Sequence, residues 1–177
     1  HACIEDLDFR SSRGLKRSQI NQLAGCDWVT YHQNIVITGP TGCGKTFVAC
    51  ALAQKACREG HRTLYFYAPK LFRSLSMAHA DGSIGKLLAK LARAQVLVID
   101  DWGIPKINQQ QYRDFLEILD DRHGLGATVM TSQFAVDDWH QTIPDPTVAD
   151  AILDRIVHNA HRLELGGRSL RNPQETS

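Results

Sequence analysis

Residues 34–46 read Asn34-Ile35-Val36-Ile37-Thr38-Gly39-Pro40-Thr41-Gly42-Cys43-Gly44-Lys45-Thr46, a β-branched apolar run that breaks into a glycine-rich turn. The turn leads into an Ala-rich stretch, KTFVACALAQKACREG, closed by Gly60. This order predicts strand, loop, helix. Gly39 to Thr46 is a complete G-x-x-x-x-G-K-[ST] match, set between the two elements that the motif requires. Glycines let such a loop bend until successive backbone N–H groups and the helix N-terminus converge on phosphate oxygens. Lys45 then places a point charge near the β and γ phosphates, and the Thr46 hydroxyl is positioned to ligate Mg²⁺. Gly39, Pro40, Thr41, Gly42, Cys43, Gly44, Lys45 and Thr46 are the expected nucleotide-binding residues.

Elements alternate on either side of this loop. Further strands are predicted at Thr63 to Tyr67, Val96 to Asp100, Ala127 to Thr131 and Arg162 to Leu165. Between them lie a Leu-rich segment to about Met77, a turn at Asp81-Gly82 and a helix from Ile84 to Ala94. Later helices run from an Asn108 cap to about His123, from Val136 to Gln141 and, past Pro144 and Pro146, from Thr147 to Ala160. The central strands are continuous apolar runs, the pattern of a sheet covered on both faces. The expected fold class is α/β, a three-layer sandwich around a mostly parallel five-stranded sheet. Residues 1–33 read as a lead-in arm and short helix, 34–171 as the core with a helical insertion at about 69–94, and 172–177 as a disordered tail. The sequence holds no internal repeat.

A nucleoside triphosphatase also needs a carboxylate for its metal and a group that orients the attacking water. Val96-Leu97-Val98-Ile99-Asp100-Asp101 offers both at the carboxyl end of a buried strand, where ligands of open α/β sheets bind. Asp100 is the candidate Mg²⁺ holder, through water, and Asp101 the group that polarises the nucleophile. The pairs Asp120-Asp121 and Asp137-Asp138 end no apolar strand and read as solvated helix faces or caps. Thr131-Ser132-Gln133 end the fourth strand at the same edge; one of them is placed to meet the γ-phosphate or the water, but polar residues commonly follow strands.

With 177 residues, 43% hydrophobic and 22% charged, the chain suits one domain with a substantial core. No apolar run reaches the length of a membrane span, and no secretory signal pattern opens the chain, so an intracellular, cytoplasmic protein is expected. The net charge of +1 excludes a uniformly basic coat, and any nucleic-acid surface must be local. Five cysteines with no C-x-x-C pair argue against a disulfide framework or zinc ribbon. Cys43, Cys50 and Cys57 read as small core hydrophobes, and His158 and His161, lacking an acidic or Cys partner at ligand spacing, as structural or surface groups.

The P-loop and the Asp100 strand, taken together, resemble the AAA+ class of P-loop ATPases. Asp101-Trp102-Gly103, Thr131-Ser132-Gln133-Phe134 with Trp139-His140, and the stretch Asp145-Pro146-Thr147 through Asp154-Arg155 to Val157-His158-Asn159-Ala160 resemble the IstB family within it. The resemblance runs from about Asp6 to about Arg171. IstB proteins are ATP-dependent helpers of a bacterial insertion-sequence transposase, related to the helicase loader DnaC and the initiator DnaA. The resemblance implies ATP and Mg²⁺ as ligands and catalytic roles for Lys45 and Asp101. It implies a sensor at Gln133 with Ser132 beside it, and an arginine finger at Arg155 that reaches a neighbouring subunit's nucleotide. The residues alone favour, for Arg155, a surface pair with Asp154 or a charge at a helix C-terminus. Asp101 stands where most AAA+ proteins carry Glu, a shorter reach that implies slower hydrolysis or a shifted water.

Between Ala68 and Arg93 the cations Lys70, Arg73, Lys86, Lys90 and Arg93 face Asp81 alone, a local charge of +4 against −3 for the rest of the chain. Lys86, Lys90 and Arg93 share one face of a helix whose other face carries Leu87, Leu88 and Leu91, a pattern that an ordinary solvated amphipathic helix also explains. The insertion lies between the second and third strands, where the initiator branch carries a helix lining a DNA channel, so the resemblance implies sequence-tolerant contact with duplex DNA. The expected function is an ATP-dependent DNA-binding regulator of transposition that assembles as a homo-oligomer or filament through its nucleotide sites and recruits a transposase. A DnaC-like helicase loader is the alternative. A small-molecule kinase fits less well, because no acceptor-site constellation is visible. The 22 residues after Arg155 are too few for the multi-helix lid of most AAA+ proteins, and the start at His1 implies removal of an N-terminal region that relatives carry.

Overall fold

Residues 2–9, 14–103 and 107–166 are described by a computed structural model. The tail expected to be disordered at 172–177 lies outside the described residues. Strands β1 (Asn34–Thr38), β2 (Thr63–Tyr67), β3 (Val96–Asp100), β4 (Ala127–Ser132) and β5 (Ala160–Glu164) pair in the order β2-β3-β4-β1-β5. Each pairing is parallel, so the sheet is wholly rather than mostly parallel. The glycine-rich loop leaves the carboxyl end of β1, between β4 and β5.

Strand side chains alternate between two cores, as a period of two dictates. Ile35, Ile37, Val96, Val98 and Val129 pack against α1 (Arg17–Ala24), α2 (Asp27–Thr30) and α3 (Lys45–Arg58). On the opposite face Val36, Leu97, Ile99 and Met130 meet α4 (Ala68–Asp81), α5 (Ile84–Arg93), α6 (Gln109–Arg122), α7 (Val136–Thr142) and α8 (Pro146–Val157). These strand side chains are at most 1% exposed, and each contributes about 1.5–3 kcal/mol of burial. Small residues at Ala49, Ala53 and Ala56 bring α3 close to the sheet. Cys57 is exposed and Cys50 half-buried, so only Cys43 of that series is core; the other two lie on a flank of α3 rather than on its packed face.

Several boundaries differ from expectation. The Leu-rich segment continues past Met77 as one helix, α4, up to the expected turn, where Gly82 caps it at φ +81°; Pro69 sits in its first turn, where a missing N–H costs nothing. The last helix stops at Val157 rather than Ala160, and β5 begins at Ala160 rather than Arg162. Asn34 explains both. Its side-chain amide donates to the carbonyls of Arg155 and Ile156 at 3.2 and 3.3 Å, satisfying the orphan acceptors at the end of α8. Its backbone N–H takes the Asn159 carbonyl at 2.9 Å and so starts the β1–β5 ladder two residues early.

Candidate functional site

Gly39 begins the loop with a φ of +154°, and a Cβ there would stand 2.2 Å from the Leu165 carbonyl oxygen. No side chain fits. The loop is pinned on both sides: Gly39 N–H donates to the Ser132 carbonyl at 3.2 Å, and Leu165 N–H donates to the Thr38 carbonyl at 2.8 Å. Gly44, at φ +97°, turns the chain into α3, whose free N–H groups therefore open onto the loop. Lys45 is almost fully buried and donates from Nζ to the carbonyls of Gly39 and Pro40 at 2.7 and 2.9 Å. Its ammonium is thus held over the mouth of the loop, with the buried Cys43 Sγ 4.0 Å away.

Asp100, 4% exposed, ends β3 directly behind the loop. Thr46 Oγ1 donates toward its two carboxylate oxygens, 3.0 Å from each. Thr131 Oγ1 donates to Oδ1, and the Tyr65 hydroxyl to Oδ2 at 2.6 Å. Burial first, and then the hydrogen bond to the Asp100 carboxylate, push the Tyr65 phenol well above its usual range, so it stays a donor. Cys50 is likewise raised, by burial and by the Asp100 charge.

Asp101 departs from the strand in the left-handed region, φ +64°, a conformation that Asp tolerates better than most residues. Its N–H is taken by Thr131 Oγ1 at 2.8 Å, and the next N–H, of Trp102, by the Thr131 carbonyl at the same distance. Trp102 then plunges into the core, stacked on Phe115 and 4.5 Å from Trp139, centroid to centroid. That aromatic cluster fixes the turn that presents Asp101 to the cleft.

The cleft measures about 1620 Å³, larger than a drug-sized pocket, and is open to solvent. Thr41, Lys45, Thr46, Asp100, Asp101 and Gln133 share it, and Thr41 Oγ1 lies 3.1 Å from Gln133 Oε1. On another side it is walled by Tyr65 and Tyr67 of β2, Phe47 and Cys50 of α3, and the segment around Cys3, Asp6 and Asp8. Ser132, grouped with Gln133 on sequence, is not at the cleft. Alternation along β4 turns it to the opposite face, fully buried, where its Oγ accepts from Phe134 N–H at 3.1 Å. Tyr65 belongs to no motif and carries no sequence signal as a site residue, and Thr131 is in the sequence one of three candidate polar residues that nothing tells apart.

The remaining candidates lie elsewhere. Arg155, on α8, does not line the cleft; Nε donates to Asp120 at 2.6 Å and a terminal nitrogen to Asp154 at 3.1 Å. The pair with Asp154 that the residues alone suggest is present, and Asp120 adds the stronger contact. Lys70, Arg73, Lys86, Lys90 and Arg93 are all exposed on α4 and α5, and among the described residues none joins an ion pair. Among the described residues no helix is long and apolar enough to cross a membrane.

This geometry belongs to a populated structural class. The fold superposes on DnaI with a TM-score of 0.79 at 22% identity, covering 93% of this chain and 91% of that one. It also matches AMPPCP-bound DnaA from Aquifex aeolicus at a TM-score of 0.74 and 17% identity, over 92% of this chain and 49% of that one. In sequence, an insertion-sequence ATP-binding protein of Sinorhizobium fredii is 50% identical over 173 residues, 98% of this chain and 71% of that protein. The IS21 ATP-binding protein of Pseudomonas aeruginosa is 33% identical over 168 residues, spanning 95% of this chain and 63% of the relative. The family of IstB-like ATP binding proteins matches residues 1–177 throughout, and with its phosphate loop, buried Asp100 and wholly parallel sheet the chain belongs to that family, as a P-loop ATPase of AAA+ fold.

Proposed function

We propose that the protein is an ATP-switched clamp on duplex DNA that serves transposition. The observation that carries this reading is the placement of the unpaired cations of α4 and α5 on the helices that follow directly from β2, the strand that walls the nucleotide cleft. Tyr67, in the cleft wall, is the N-cap of α4, so no loop separates the nucleotide from the basic unit.

Within the cleft, the α3 N-terminus and Lys45 bind the phosphates and Asp101 orients the attacking water. Gln133, next to Thr41, meets the terminal phosphate. The donor set of Thr46 hydroxyl and Asp100 carboxylate is all oxygen and fits a hard divalent cation such as Mg²⁺. That ion would neutralise the charge that develops on the phosphoryl group. Arg155 serves a neighbouring copy as an arginine finger. Its ion pairs are with exposed carboxylates, which contribute little and release it at small cost.

A patch of +4 binds DNA weakly through counterion release, and a row of such patches along a filament multiplies the contacts. ATP held between subunits makes that assembly nucleotide-dependent. The names of the relatives, ATP-binding proteins of insertion sequences, favour a transposase as partner over the replicative helicase that a loader would serve. Electron microscopy of the protein with duplex DNA tests the reading. Ordered oligomers on DNA with ATP or a slowly hydrolysed analogue, and none without nucleotide, are expected; identical images in both conditions would refute it. Co-purification with a hexameric helicase instead of a transposase would favour the loader.

A further inference from the structure

Asp100 takes hydroxyl hydrogen bonds from three elements, and only two are accounted for by the loop motif and the strand beside it. The third donor, Tyr65, comes from the edge strand β2. In the β2–β3 register Tyr67, not Tyr65, stands opposite Asp100, so the Tyr65 side chain reaches two residues along the strand to place its hydroxyl 2.6 Å from Oδ2. Tyr65 is 48% exposed and lines the cleft, so its ring contributes less packing than a core aromatic would. Its hydroxyl is held by the same carboxylate that the Thr46 hydroxyl meets.

We propose that Tyr65 is a positioning residue for the divalent cation at Thr46 and Asp100, fixing the rotation of the Asp100 carboxylate so that one oxygen edge faces Thr46. The inference rests on reading Thr46 and Asp100 as the cation site. Outer partners of a ligating carboxylate set its orientation and basicity, and their loss lowers metal affinity by about 10- to 100-fold. Without the phenol, Oδ2 keeps only the Thr46 contact and the carboxylate turns about a single firm anchor, Thr131 on Oδ1. Phosphate binding by the loop and Lys45 does not pass through Tyr65.

The test is Tyr65→Phe, which removes the hydroxyl and keeps the ring. Binding of a fluorescent N-methylanthraniloyl ADP is measured in excess EDTA and again during Mg²⁺ titration, with Asp100→Asn in parallel. The expected result is metal-free affinity within about twofold of the parent and a Mg²⁺ half-saturation raised about tenfold or more. If Asp100→Asn raises the Mg²⁺ requirement and Tyr65→Phe does not, the Tyr65 role is overturned and the cation site stands. If neither variant changes it, the cation-site reading falls as well. Equal loss with and without Mg²⁺ in Tyr65→Phe would show a packing role and also overturn the proposal. A second readout needs no Tyr65 variant: adding Mg²⁺ to the ADP complex of the parent should give a tyrosine ultraviolet difference spectrum that Asp100→Asn lacks. Its absence from the parent would count against the proposal.

Discussion

Gly39 admits no other residue, because a methyl group would overlap the Leu165 carbonyl and come within 2.8 Å of Cys43 Sγ. Gly39→Ala should therefore cost at least about 2 kcal/mol in denaturant unfolding, together with nucleotide affinity, since loop and β5 must part. Asp101 makes the opposite prediction: Asp101→Asn should fold and bind ATP like the parent while turnover falls by about 10²- to 10⁴-fold, as expected for loss of a group that handles the water's proton. Turnover at the parent rate would remove Asp101 from that role. Lys45, Thr46 and Asp100 are legible in the sequence, because a motif fixes their spacing and a strand fixes their edge. Tyr65 is not, since its partner is 35 residues away and the reach along β2 follows from strand lean rather than from any pattern. Ser132 escapes the sequence for a related reason: with the strand predicted to stop at Thr131, nothing assigns its face, whereas the observed β4 includes it and alternation decides.

Helices and strands are legible where one local pattern governs them. Strands β1, β2 and β3 begin and end where the apolar runs do, and Asn108 caps α6 in a reciprocal box with Gln111. The end of α8 is not legible, because it is set by Asn34, more than 120 residues earlier in the chain. Asn34→Ala should lower stability by about 1–3 kcal/mol, measured by thermal or denaturant unfolding, since it also removes the acceptor of Thr128 N–H at 2.9 Å. Arg122 holds another junction. Buried on α6, it donates to the Leu91 and Ala94 carbonyls at the end of α5, to the Ala127 carbonyl and to Thr128 Oγ1. Burial lowers its pKa to about 10, so it remains a cation at neutral pH, facing the negative end of α5. Arg122→Met leaves those acceptors without donors and should cost about 3 kcal/mol or more.

The molecule as a whole joins its nucleotide cleft to its most basic segment through one continuous piece of backbone, β2 and α4. The phosphate loop and its cleft open at the carboxyl edge of the sheet, and the cations lie on the two helices inserted between β2 and β3. The concentration of positive charge between Ala68 and Arg93 is readable as arithmetic, and the amphipathic spacing on α5 gives the exposed face of Lys86, Lys90 and Arg93, but that spacing assigns no face to Lys70 and Arg73. The packing of Leu71 and Leu75 into the core shows which face of α4 is left to solvent, and the burial of Leu91 agrees with the face expected for α5. Long-range coupling from ATP to DNA is tested most directly by fluorescence anisotropy of a labelled duplex, with the parent and with Lys86→Glu/Lys90→Glu/Arg93→Glu. A clamp of this kind should bind only with ATP or a slowly hydrolysed analogue and weaken steeply with salt, and the triple variant should lose DNA while keeping its nucleotide affinity. Binding of equal strength without nucleotide, or undiminished by reversing those three charges, would contradict the coupling.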